Sequence, residues 1–166
     1  REIGDKRHEG MTLGNLGDLF LKQDQIDEAR VALREAITLC DETFPLAAGV
    51  FRGSLALLLA KLGQLDQARD LLATGEPQVE TMPAEHAKFL CKKVQVLHIA
   101  GEADRAAKAL TQAKTIAGEL NAGPESDVGQ ALDELAAVLA AHGGELHLLD
   151  EGGGGGGGGG GGEAAR

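Results

Sequence analysis

The sequence predicts an all-α fold in which helix pairs stack into an α-α superhelix, or solenoid, of about three pairs plus a partial fourth. Three observations predict it. Ala and Leu are abundant while Trp and Tyr are absent and Phe occurs four times, a composition poor in the aromatic residues that sheets favour. Three stretches, "LKQDQIDEARVALREAI", "AKLGQLDQARDLLATGE" and "HIAGEADRAAKALTQAK", resemble one another; aligning Ala29, Ala68 and Ala106 gives periods of 39 and 38 residues. Finally, Gly and Pro fall between the apolar stripes, where helices would stop and start.

In chain order the predicted helices are 8–23, 26–41, 46–62, 65–75, 83–100, 103–120 and 125–142. The first contains "EGMTLGNLGDLF", whose Leu13, Leu16 and Phe20 recur at helical spacing. Gly14 and Gly17 lie inside it, each costing roughly 1 kcal/mol relative to alanine. In the repeat alignment Leu16, Leu55 and Lys93 coincide, as do Phe20, Leu59 and Leu97, and the small residue at Gly17 returns as Ala56, Val94 and Ala136. A turn follows at Asp24, Gly63 and Gly101. The second helix of each unit then carries Ala29, Ala68 and Ala106, next Leu33, Leu72 and Leu110, and last Ala36, Gly75 and Ala113. Pro45, Pro83 and Pro124 stand where the next unit opens, a position that suits proline. Pro77 is expected to end the helix before it. The last helix repeats the pattern with Leu132, Leu135, Ala136 and Leu139.

Charge narrows the partners. The formal net charge is −10, from 26 acidic and 16 basic residues, which argues against nucleic acid and against an anionic membrane surface. Cys40 and Cys91 match no ligand or redox spacing, consistent with reduced thiols in a cytoplasmic protein. No apolar run approaches the roughly 20 residues of a membrane span, and no signal peptide is visible. The chain opens on Arg1, which suggests a fragment of something longer. Residues 152–162 are eleven consecutive glycines; as a coil they would span about 18 Å. Residues 150–166 therefore read as a Gly-rich flexible tail, and the absence of a following Gly-Lys-Ser/Thr excludes a phosphate loop.

These residues resemble the tetratricopeptide repeat family. The first unit matches with Leu13, Leu16-Gly17, Phe20, Ala29, Leu33 and Ala36, the second with Leu55-Ala56, Leu59, Gly63, Ala68 and Leu72, and the third with Leu90, Leu97, Gly101, Ala106, Leu110 and Ala113. The resemblance implies a repeat domain over residues 1–149, with units at about 10–43, 49–82 and 87–120 and a partial one at 129–149. Arg52 and Lys93 depart from the pattern at apolar places, Asp24 replaces a turn glycine, and Lys93 suggests a looser or rotated third unit. "GDKRHEG" resembles the junction of the longer, roughly 40-residue Leu-Gly-Asn-like variant found in spindle-orientation proteins and in many bacterial signalling proteins. On that resemblance Arg1 to Asp5 would be the tail of an upstream repeat.

In such an array the first helix of each pair lines a concave groove. The resemblance places Met11, Gly14, Asn15, Asp18 and Lys22 there from the first unit, and Val50, Gly53, Ser54, Leu57 and Lys61 from the second. Lys88, Lys92, Gln95 and His98 follow from the third. Gly14 and Gly53 would leave bare backbone and space for a ligand, and Asn15 would bond the backbone of a bound peptide. The lysines would favour an acidic peptide. The family's clamp for chaperone C-termini is not reproduced, since Cys91 and Gln95 stand where it needs basic residues. No Glu-x-x-His pair, no Gly-x-Ser-x-Gly and no distinguished carboxylate pair appears. Even "HGGELH" with Asp150 and Glu151 has no recognised metal spacing. The sequence thus predicts no catalysis, metal or cofactor, and a protein-interaction scaffold. The alternative is a regulatory, sensory or oligomerisation segment of a larger signalling protein such as a kinase. Alanines in "ALDELAAVLAAHGG" offer a surface for self-association through the C-terminal helix.

Overall fold

A computed structural model describes residues 2–142. Among them are seven helices and no strand: α1 (Ile3–Lys22), α2 (Ile26–Thr43), α3 (Pro45–Lys61), α4 (Leu65–Val79), α5 (Pro83–Ile99), α6 (Ala103–Glu119) and α7 (Asp127–Ala141). They pair as α1 with α2, α3 with α4 and α5 with α6. Successive pairs stack, so that α1, α3, α5 and α7 follow one another side by side. This is an α-α solenoid. The glycine tail and the "ELHLL" segment lie outside the described residues.

The second helices bury the aligned small and large residues. Ala29, Leu33, Ala36, Ala68, Leu72, Ala106, Leu110 and Ala113 are all buried, because i, i+4, i+7 spacing puts them on one face. One apolar cluster runs from α2 through α3 and α4 to Phe89 and Val96 of α5, and a second joins α5, α6 and α7. The small residue at Gly17 sits where α1 approaches α2: a β-carbon there would lie 2.7 Å from Leu33 Cγ. Ala136, at the same repeat place in α7, is exposed.

The turns obey one stereochemical rule. Asp24, Gly63 and Gly101 all adopt left-handed backbone, with φ of 60°, 81° and 76°. The next residue's N–H then reaches back to the helix: Gln25 to Phe20 O, Gln64 to Leu59 O and Glu102 to Leu97 O, each at 2.9 Å. Those are the six-to-one bonds of a glycine-type helix end. Asp24 therefore adopts the glycine conformation rather than changing the turn.

Three boundaries differ from expectation. α1 begins at Ile3, not residue 8, so "GDKR" is helix and not a loop. Asp5 suits a first turn, Lys6 Nζ bonds Glu42 Oε2 at 3.3 Å, and the Arg7 guanidinium sits 4.0 Å over the Phe44 ring. α4 continues through Pro77 to Val79. Proline removes the bond to the Ala73 carbonyl, but buried Val79 and the Glu80 N–H to Glu76 O bond hold the last turn. α7 begins at Asp127, because Ser126 Oγ caps it by accepting from Gly129 N at 3.0 Å, a standard device. Pro124 lies in the preceding turn, whereas Pro45 and Pro83 do open α3 and α5.

Candidate binding groove

A cavity of about 700 Å³ runs along α1, α3, α5 and α7. Met11, Asn15, Asp18 and Lys22 line it from α1, Val50, Ser54 and Leu57 from α3, and Lys88, Lys92 and Gln95 from α5. Gln130 and Glu134 of α7 close the far end. Helical spacing explains the grouping, since these residues share one face of each first helix.

Four expected residues lie elsewhere. Gly14 is buried, and a β-carbon on it would fall 2.0 Å from Phe51 Cζ. It offers a ligand no bare backbone; the Phe51 ring already covers it. Gly53 stands in the same relation to Phe89, 3.0 Å from Cδ2. Both glycines are packing residues between successive first helices, so the expected ligand space at them is filled by side chains of the next unit. Lys61 and His98 sit beyond the cavity wall, near the ends of α3 and α5.

Other lining residues were missed: Phe44, Leu46, Ala47 and Phe51, then Met82, Glu85 and Phe89, then Asp127 and Ala131. They come from the first two turns of α3, α5 and α7 and the residues just before them. The signal was available in Phe51 and Phe89, 38 residues apart.

The floor is apolar and the sides are charged. Lys92 Nζ donates to the buried Ser54 Oγ at 2.7 Å, and burial pushes its ammonium below its ordinary pKa, partly countered by Asp18. Lys88 Nζ pairs with Glu85 Oε1 at 2.9 Å. Lys22, Lys88 and Lys92 share the lining with Asp18, Glu85, Asp127 and Glu134. Three cations against four carboxylates do not make a basic groove, so the expected preference for an acidic peptide loses its electrostatic ground. Asp18 was expected there; Glu85 and Asp127, near the starts of α5 and α7, were not.

Polar ties fix the stacking. Arg52 Nη1 and Nη2 donate to Asp41 Oδ1 and Oδ2 at 2.5 and 2.6 Å, and Nη1 also reaches Gln78 Oε1 at 2.7 Å. The Arg52 bonds hold the Asp41 carboxyl below its ordinary range. Lys93 Nζ donates to Glu76 Oε1 at 2.6 Å. The two departures from the apolar pattern thus bind one unit to the next, Arg52 to Asp41 and Lys93 to Glu76.

A helix pair with a Leu-Gly approach, a left-handed turn and a small-large-small second helix is what α1 and α2 now present. Residues 12–43 match the tetratricopeptide repeat model. Repeats of that family generally mediate binding to other proteins and are typically non-catalytic. The matched tetratricopeptide segment is the first unit, which supplies Asn15, Asp18 and Lys22 to the groove. No curated protein matches the chain. No described helix is long and apolar enough to cross a membrane.

Proposed function

We propose that the chain is a non-catalytic interaction scaffold whose groove takes a peptide segment or helix of another protein. The carrying observation is the continuity of the cavity across α1, α3, α5 and α7. Phe51, Phe89, Leu57 and Met11 give it apolar walls, and Asn15, Gln95 and Gln130 supply amide groups that both donate and accept hydrogen bonds. Such a surface suits a segment with apolar anchors, exposed backbone groups and charges of both signs. Asn15 is exposed on the groove side of α1, and we assign it to the backbone of the bound segment.

Selection of peptides from a displayed library on the whole chain tests this. Selected peptides are expected to carry apolar anchors, and Asn15→Ala is expected to weaken them by about tenfold, the loss of one well-made hydrogen bond. Lys108→Ala, on α6 away from the groove, should leave them unchanged. Peptides indifferent to Asn15 and Met11 but sensitive to Lys108 would refute the groove.

A further inference from the structure

Where α4 ends and α5 begins, three ligand-type side chains converge. Glu76 and Glu80 lie four residues apart at the C-terminal end of α4, and His86 stands in the first turns of α5. Their donor atoms all fall within 4.8 Å of one another. His86 is 8% exposed, and its Nε2 is buried with no hydrogen-bond partner. That nitrogen lies 3.6 Å from Glu76 Oε2, beyond hydrogen-bond length. A buried imidazole nitrogen without a partner is costly and calls for an explanation.

We infer that Glu76, Glu80 and His86 form a binding site for a divalent transition cation, Zn²⁺ by preference, which clasps the second unit to the third. The chemistry selects the ion. One imidazole nitrogen and two carboxylate oxygens suit Zn²⁺, whereas Mg²⁺ and Ca²⁺ prefer oxygen donors. Donors on one four-coordinate Zn²⁺ stand roughly 3.3 Å apart, from bonds of about 2.0 Å. The Glu76–His86 pair is already near that spacing. Glu80 is exposed, so its carboxylate can turn inward without disturbing the core. Lys93 holds Glu76 Oε1 at 2.6 Å, leaving Oε2 directed at the imidazole. It acts as a positioning residue, as partners of metal ligands do. Glu76 and Glu80 also line a cleft of about 420 Å³, which gives the ion an entry path and the fourth position a water.

The clasp has a structural consequence. Residues 80–82 are the turn between α4 and α5; Glu76 and His86 bracket it and Glu80 opens it. Metal there fixes one unit against the next and so the spacing of α3 and α5 in the groove.

Calorimetric titration of the whole chain with Zn²⁺, beside Mg²⁺, tests the site. One Zn²⁺ is expected to bind, with little response to Mg²⁺. Glu80→Gln and His86→Gln are each expected to weaken that binding by at least ~10-fold. Glu80→Gln should leave the metal-free circular dichroism and melting temperature unchanged, so it decides the matter even where His86→Gln folds poorly. His98 and His142 have ring centroids 5.8 Å apart and are the rival histidine pair; His142→Gln should bind as wild type. Undiminished binding in Glu80→Gln, loss in His142→Gln, or equal binding of Mg²⁺ would each overturn the inference.

Discussion

Replacing Gly14 by alanine should destabilise the chain, although alanine is the better helix former. The ideal β-carbon falls 2.0 Å from Phe51 Cζ and 2.2 and 2.3 Å from its two Cε atoms. Carbon contacts relax at about 3.5 Å, so the ring must retreat by roughly 1.5 Å. Phe51 is buried and packed in the cluster shared by α2, α3 and α4, which leaves it no nearby pocket except the open groove. Overpacking of this kind costs about 1–3 kcal/mol, and the helix gain returns about 1 kcal/mol. With a displacement this large the net loss should be about 1–2 kcal/mol. Gly118 in α6 supplies the control, because a β-carbon there meets nothing within 4 Å. Gly118→Ala should gain about 1 kcal/mol. For a domain of this size 1 kcal/mol moves the melting temperature by roughly 2–4 °C, so the two variants should melt at least ~4 °C apart on opposite sides of wild type. The pair Gly14→Ala and Phe51→Leu should couple by at least ~0.5 kcal/mol in a double-mutant cycle, since leucine withdraws the ring tip. A Gly14→Ala variant that melts at or above wild type would show that the ring does not rest on Gly14, and the argument for inter-unit spacing would fall.

Arg52→Ala should cost about 1 kcal/mol at neutral pH, because its partner Asp41 is partly exposed. The Arg52 hydrogen bonds depress the folded Asp41 pKa below 3.8. Their contribution is present above that value and fades as pH falls through the folded one. Urea midpoints against pH should therefore drop less steeply below 3.8 in Arg52→Ala than in wild type; parallel curves would contradict the assignment. Asp24 has φ of 60° while Gly101 has 76°, so Asp24→Gly should stabilise and Gly101→Ala destabilise, each by about 1 kcal/mol. Equal effects of both on the melting temperature would deny the shared turn. Burial pushes the Cys91 thiol up to about 11 and raises Cys40 as well. A disulfide reagent at mildly alkaline pH should label the native chain at least ~10-fold more slowly than the urea-unfolded chain, and fast native labelling would sink the packing of α5.

The fold was legible because its determinants are local and repeated. Small residues at Ala29, Ala68 and Ala106 mark the close approach in each pair, and the turn residues mark the reversals. Helix ends were less legible. Pro77 looked like a stop, yet Val79 buries well enough to carry the chain one more turn. "GDKR" looked like a loop until its Lys6 and Arg7 met Glu42 and Phe44. At the groove, the periodic face of the first helices could be read directly, but which small residues were open could not. Gly14 and Asn15 are neighbours in sequence; only the position of Phe51, 37 residues on, separates a packing glycine from a groove asparagine. The triad of Glu76, Glu80 and His86 was invisible for a related reason, since its spacing spans two helices and matches no local ligand pattern.

The same contacts that stack the units also set the groove. Phe51 and Phe89 each close one glycine of the preceding first helix and each forms part of the cavity wall. A change at Gly14 or Gly53 must therefore alter both the stacking and the cavity wall. No variant at those positions can report on the ligand alone. The third junction is built differently: repeat alignment puts Cys91 where Gly14 and Gly53 stand, and Ala131 where the phenylalanines stand. A larger residue on the earlier helix and a smaller one on the later exchange the two halves of the contact. Cys91 is buried there and lines the cavity beside Ala131. α7 contributes no aromatic side chain to that end of the groove, where Gln130 and Glu134 line it. If the groove takes a peptide segment as proposed, that segment's apolar anchors belong between α1 and α5, where the two rings are, and its polar groups toward α7.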